Sequence, residues 1–205
     1  MTLLNEITAL AKKHAVELQS KVDERVSEMD SDDLSHFLIY KVLGVTTEEG
    51  KLIDVYQNKG RFLYRHAGAF LETAAKMCFA HHNPEAKSLR VPNTLGQRPK
   101  IFEIDCLDGQ FAHEIKWRDA TTDGDHITKE HTRIKVIAAA GYTPIRVMFY
   151  YPNRTQAIRI QGTLETLYQG VGGHYYYGDS AWAYIKSHTK NDLKAILEHI
   201  AEKAS

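Results

Sequence analysis

The chain has 205 residues, of which 43% are hydrophobic and 25% charged, and its 26 basic residues are matched by 26 acidic ones. That is enough sequence for one well-cored domain, and the composition excludes a disordered or fibrous protein. No apolar run approaches the roughly twenty residues that a membrane span needs, and zero net charge removes the basic excess that usually announces a nucleic-acid binder. The first residues, Met1-Thr2-Leu3-Leu4-Asn5-Glu6, lack a basic stretch followed by an apolar one, so the expected location is cytoplasmic. Cys78 and Cys106 have no metal-ligand spacing, and each falls inside a predicted element, which makes both reduced core residues.

Taken in order, residues 3–29 carry apolar side chains at Leu3, Ile7, Leu10, Val16, Leu18 and Val22, the pattern of a long amphipathic helix. Asp30-Ser31-Asp32-Asp33 ends it and starts a short helix over 34–43. Thr46-Thr47-Glu48-Glu49 reads as a cap for a helix reaching about residue 57, and Asn58-Lys59-Gly60 as a turn. A further helix spans 61–80, with Phe62, Leu63, Ala67, Phe70, Leu71, Ala74, Met77 and Cys78 on one face and Arg61, Arg65, Glu72 and Lys76 on another. Residues 84–99 form a polar connection containing three prolines.

Residues 101–107 and 110–117 are rich in β-formers, and Asp108-Gly109 between them suits a two-residue type I′ turn. This hairpin would set Leu107 opposite Gln110, Asp105 opposite Ala112 and Glu103 opposite Glu114. Alternation then puts Glu103, Asp105, Glu114 and Lys116 on one face. Like charges so placed repel and raise one another's pKa, a tension that a divalent cation resolves. An all-oxygen donor set suits Mg²⁺, and an adjacent Lys can orient an attacking water or neutralise charge growing on a phosphorus centre. As a bare tripeptide Glu114-Ile115-Lys116 is common and is usually solvated; the Asp nine residues earlier on the same face makes it informative.

Beyond the hairpin, 119–125 is a loop dense in turn formers, with Asp125 as N-cap of a helix over 126–140 closed by Gly141. This helix leaves the sheet beside the acidic face. Arg118, Thr121, Thr122, His126, Lys129 and Arg133 are therefore expected to meet phosphates or base edges. Residues 143–151 are the clearest buried strand and 157–160 a second candidate; strand, helix, strand favours a mixed sheet. Residues 161–168 are helical, the glycines at 170, 172 and 173 a break, and 174–179 an aromatic stretch able either to pack or to stack on DNA. Helices over 180–188 and 192–203, a possible dimer face, close the chain.

Asp105 followed by Glu114-Ile115-Lys116 resembles the core of the PD-(D/E)xK nucleases, with Ile104 where the motif's name has Pro. The wider stretch from Asn93 to Glu130 resembles type II restriction endonucleases, most nearly the ApaLI-like group. The resemblance implies an α/β (α+β) fold, a mixed β-sheet core flanked by helices. It would form a single domain over 1–205, with a helical N-terminal region at 1–58, a catalytic core at 60–160 and C-terminal helices at 161–205. It also implies Mg²⁺ held by Asp105 and Glu114, Lys116 as catalytic partner, Glu72 as a third carboxylate from the preceding helix, and Arg65 near a phosphate. The expected function is cleavage of double-stranded DNA at a short palindromic site by a homodimer, alongside a protective methyltransferase. A repair or recombination nuclease with the same core, or a non-catalytic DNA-binding or interaction module, are the alternatives.

Overall fold

The computed structural model describes residues 2–96, 98–118 and 124–204, with the backbone alone at 30, 124–126 and 204. The described residues form seven helices and five strands: α1 (Leu3–Asp30), α2 (Phe37–Val42), α3 (Thr47–His82), β1 (Lys87–Pro92), β2 (Ile101–Asp108), β3 (Phe111–Arg118), α4 (Gly124–Ala139), β4 (Thr143–Tyr150), α5 (Thr155–Gly170), β5 (His174–Tyr177), α6 (Asp179–Thr189) and α7 (Leu193–Ala204). This is the expected α+β class. Among them no helix is long and apolar enough to cross a membrane. They divide into two compact units, residues 8–70 and residues 1–7 with 71–205.

The smaller unit is helical. Thr46 and Glu49 cap α3 reciprocally, the Thr46 hydroxyl accepting from the Glu49 N–H at 3.2 Å and the Glu49 carboxylate from the Thr46 N–H at 2.9 Å. Gly50 one turn later is required by space, since a Cβ there would sit 2.7 Å from the Tyr40 ring and 2.8 Å from that of Phe37. The turn expected at 58–60 does not form: α3 is continuous from Thr47 to His82. Asn58 donates its amide to the Asp54 carbonyl at 2.9 Å, so its side chain supports the helix it was expected to end. Gly60 in a helix interior costs about 1 kcal/mol, too little to break an element held elsewhere along its length.

The larger unit is built on a sheet ordered β1-β2-β3-β4-β5. β1, β2 and β3 run antiparallel, and β3, β4 and β5 parallel, so the sheet is mixed as expected. Two strands escaped the sequence reading. β1 lies within the proline-containing connection as an edge strand that ends on Pro92, where a missing N–H is tolerated. β5 is the aromatic stretch, with Tyr175 buried and Tyr176 stacked on Tyr184 at 4.2 Å. Residues 157–160, a candidate strand, belong instead to α5, whose Ala157, Ile160, Leu164 and Tyr168 are buried at helical spacing. Ile134 of α4 and Met148 of β4 pack against that stripe.

Both faces of the sheet carry buried polar groups. On the face of Cys106 and His113, the His113 Nδ1–H donates to the Cys106 carbonyl at 3.0 Å, which fixes the tautomer and leaves Nε2 to accept from the Tyr184 hydroxyl at 2.7 Å. His188 then pairs with Asp108 at 2.8 Å. Burial pushes His113 down to about 4, so it is neutral at pH 7. Burial likewise pushes the Cys78 and Cys106 thiols up to about 12. On the opposite face Arg146, fully buried, donates to Glu130 at 3.2 Å, and Tyr168 donates to the same carboxylate oxygen at 2.7 Å. Removing one partner of a buried ion pair strands the other, at a cost of about 3–5 kcal/mol. Arg146→Met is therefore expected to lower the unfolding free energy by about that amount, and adding Glu130→Gln should restore part of it; urea denaturation measures both, and an additive double variant would mean that the two side chains are not coupled.

Candidate active site

The hairpin forms one residue away from where its composition put it. The two loop residues are Gly109 and Gln110, with φ of +58° at the glycine, the arrangement of a type II′ turn. Cys106 then faces His113, Leu107 faces Ala112 and Asp108 faces Phe111. Every partner moves by two residues relative to the I′ register, and because a shift of two preserves the face, Asp105 stays with Glu114 and Lys116. The paired register ends at Cys106 and His113, and beyond it Asp105 reaches β3 through its carboxylate, which accepts from the Ile115 N–H.

Between β1 and β2 the register breaks. Lys87 pairs with Leu107 but Leu89 with Ile104, so three steps on β2 oppose two on β1, a β-bulge at Asp105 and Cys106. The backbone groups it disturbs are met by side chains. Ser88 of β1 donates its hydroxyl to the Asp105 carbonyl at 2.8 Å, and the Ile115 N–H of β3 donates to the Asp105 carboxylate at 2.8 Å. The bulge also undoes the simple alternation. Phe102 and Ile104 turn into the core with Ala112 and Leu107, while Glu103 points out, 53% exposed, to Arg90 at 3.5 Å. Glu103 thus leaves the acidic face it was expected to share, and contributes its carbonyl, which accepts from Arg133 at 2.5 Å.

What remains is a cleft of about 390 Å³ lined by Glu103, Asp105, Glu114, Lys116, Lys129 and Arg133. At its floor Glu114, 6% exposed, is ion-paired to Lys116 at 2.5 Å and to Arg133. Arg133 also faces Glu130 at 3.8 Å, and Glu130 is bound to Arg146. Charges therefore alternate in a series that runs inward from the half-buried Lys116: Lys116, Glu114, Arg133, Glu130, Arg146. Burial by itself would raise Glu114, but Arg133, Lys116 and Arg146 outweigh it and hold the carboxylate down at about 2. Lys116 is likewise raised, burial being outweighed by Glu114 and Asp105, and stays a cation. Asp105 goes the other way. Burial first, then the Glu114 charge, pushes it up to about 7, and Glu72 of α3 adds to the rise. Glu72 is half-buried and held by Lys76 at 2.7 Å, within electrostatic range of Asp105.

The expected DNA-facing residues separate. Lys129 is exposed on α4 at the cleft, and Arg118 is exposed at the end of β3. Arg133, by contrast, is 13% exposed and committed to the carboxylates beneath the cleft. Arg65 lies in the helical unit, beside Lys21 and His66. Thr121 and Thr122 lie outside the described residues, as does the His126 side chain. Glu130 and Arg146 were not singled out from the sequence, although a lone Arg among the apolar residues of β4 was a signal that a buried carboxylate must face it.

A family model described as ApaLI-like restriction endonuclease matches residues 1–202. No curated protein and no solved structure matches the chain.

The raised Asp105 carries a pH dependence of stability. An acid whose pKa rises from 3.8 to about 7 on folding is favoured protonated in the fold, so its contribution is complete below 3.8 and is lost as pH climbs to about 7. The upper bound on that loss is ~4 kcal/mol. His113 opposes it at lower pH, being a base depressed to about 4 whose contribution is lost as pH falls below the ordinary imidazole value of 6.5. Comparison with Asp105→Asn isolates the acid. In EDTA the variant should be the more stable protein at pH 8, with the difference shrinking towards pH 4; thermal melts showing a difference independent of pH would rule out this account.

Proposed function

Since the chain belongs to the ApaLI-like restriction endonuclease family, we propose that it is a Mg²⁺-dependent type II enzyme of PD-(D/E)xK character. As a restriction endonuclease it is a nuclease, a hydrolase whose substrate is DNA. The finer reading is hydrolysis of double-stranded DNA at a specific, short palindromic site, with Asp105, Glu114 and Lys116 as the catalytic residues. One observation carries it: Asp105 of β2 shares an open cleft with the Glu114/Lys116 pair of β3, and the Ile115 N–H between that pair donates to the Asp105 carboxylate at 2.8 Å.

The donor set fits the cation. Asp105 and Glu114 offer only carboxylate oxygens, which a hard divalent ion prefers, and Asp105 is destabilised as an anion by burial and by Glu114. Glu72, whose charge reaches Asp105, is assigned as the third carboxylate. When bound, Mg²⁺ supplies Lewis-acid stabilisation of the charge that grows around the phosphorus. Glu114 needs no deprotonation to serve as a ligand, because its neighbours already keep it ionised. Lys116 remains protonated in this arrangement and so acts as a hydrogen-bond donor and positive charge, orienting the attacking water and stabilising the phosphorane oxygens. Arg133, Glu130 and Arg146 act through Glu114 as positioning residues.

On the DNA side, Arg118 and Lys129, with Thr121, Thr122 and His126 between them, are assigned to phosphates and base edges, and Arg65 to a phosphate. A palindromic site calls for a two-fold symmetric enzyme, and the homodimer reading is supported by exposed apolar residues of the helical unit, among them Leu38, Val42, Leu43 and Leu52. A site-specific nuclease in the cytoplasm requires that host sites be protected, which assigns a methyltransferase as functional partner.

Incubating the protein with plasmid and Mg²⁺ should give discrete fragments that EDTA abolishes; a smear would remove site specificity and intact DNA would remove the nuclease. Asp105→Asn and Glu114→Gln are expected to drop below detectable cleavage while still binding the cognate site. Lys116→Ala should lose about 10²–10³-fold in rate with little change in affinity, because its charge is needed chiefly in the transition state. If gel shifts instead show affinity falling in parallel with rate, Lys116 belongs to binding.

Substitution of the basic residues sorts them further. Lys129→Ala, as a phosphate contact, should weaken binding to all sequences and reduce the salt slope by about 1. Arg118→Ala, as a base reader, should cost about 1–3 kcal/mol of discrimination against single mismatches. Arg133→Ala should act mainly on stability and rate, and a pure loss of sequence preference in that variant would place its guanidinium on a base.

A further inference from the structure

A second group of ligating side chains lies in the helical unit. His14 and Glu17 stand one turn apart on the same face of α1, and His66 comes from α3. The two imidazole Nδ1 atoms are 3.4 Å apart, and one ligand atom from each of the three residues lies within 4.8 Å of the others. The rings meet edge to face, 80° between planes, so the nitrogens converge from two directions and the rings do not stack. In a tetrahedral site with bonds of 2.0–2.1 Å, neighbouring ligand nitrogens are about 3.3 Å apart, close to the separation found here. Phe70 packs against His14 at 5.8 Å and fixes that ring.

We propose that His14, Glu17 and His66 form a transition-metal site of zinc class that clips α1 to α3. Two imidazoles and one carboxylate make a donor set that Mg²⁺ does not favour and Zn²⁺ does. The exposed Glu17 leaves the fourth position open to water, so the ion enters from solvent. The site is separate from the carboxylates of the cleft in both residues and ligand chemistry. The clip closes a loop of the chain between positions 14 and 66, and its occupancy therefore adds to the stability of the helical unit by mass action.

The test is a calorimetric titration of the EDTA-stripped, full-length protein with Zn²⁺ in millimolar Mg²⁺. One Zn²⁺ per chain is expected, with a rise in melting temperature. His14→Gln and His66→Gln should each weaken binding by more than the about 10–100-fold that loss of a supporting hydrogen bond costs. Glu17→Gln, at an exposed position that cannot disturb packing, should also weaken it with an unchanged circular dichroism spectrum. Asp105→Asn should retain it. The proposal is overturned if no stoichiometric binding occurs, if binding survives all three substitutions of the helical residues, or if Asp105→Asn alone removes it.

Discussion

The series of alternating charges beneath the cleft is the interaction on which the rest of the larger unit depends. Lys116, Glu114, Arg133, Glu130 and Arg146 come from β3, α4 and β4, and each is neutralised by the next. None could be buried alone, since an unpaired charge in an apolar interior costs several kcal/mol. Together they tie the helix that follows the hairpin to the strand that follows the helix. The result is a carboxylate, Glu114, that stays ionised at 6% exposure and a lysine that stays charged beside it. The same packing that stabilises the sheet therefore sets the protonation states at its surface.

The β-bulge has the complementary role. Where the series compensates charge, the bulge concentrates it without full compensation. It falls at Asp105, beside Glu114, and the Ser88 hydroxyl and Ile115 N–H satisfy the Asp105 carbonyl and carboxylate. Asp105 is left with burial and a neighbouring anion, which is why its pKa climbs while that of Glu114 falls. Two carboxylates in one cleft with opposite shifts are what marks this cleft as the candidate site. Bulges recur beside active sites for this reason, because one extra residue re-aims a side chain without unravelling the ladder.

The zero net charge of the chain fits this arrangement. The basic residues, equal in number to the acidic ones, are divided between interior and surface. Arg133 and Arg146 pair internally with Glu114 and Glu130, whereas Lys129 and Arg118 are exposed. Counting basic residues along the sequence cannot separate these groups.

By itself the sequence determined the long helix α1, the hairpin, the helix after it, the buried strand β4 and the shared face of Asp105, Glu114 and Lys116. These follow from local rules: period 3.6, period 2, and a glycine at a tight turn. The trio survived a misplaced turn because a register shift of two residues conserves the face. Tertiary structure alone decided the rest. Glu103 left the acidic face because a third strand, β1, pairs with β2 out of step, and no pattern within the hairpin encodes its neighbour there, Arg90. Arg133 turned inward because two buried carboxylates offered more than solvent did. Asn58 and Gly60 became helical, and β1 and β5 became strands, because pairing and burial with distant segments exceed a local preference of about 1 kcal/mol.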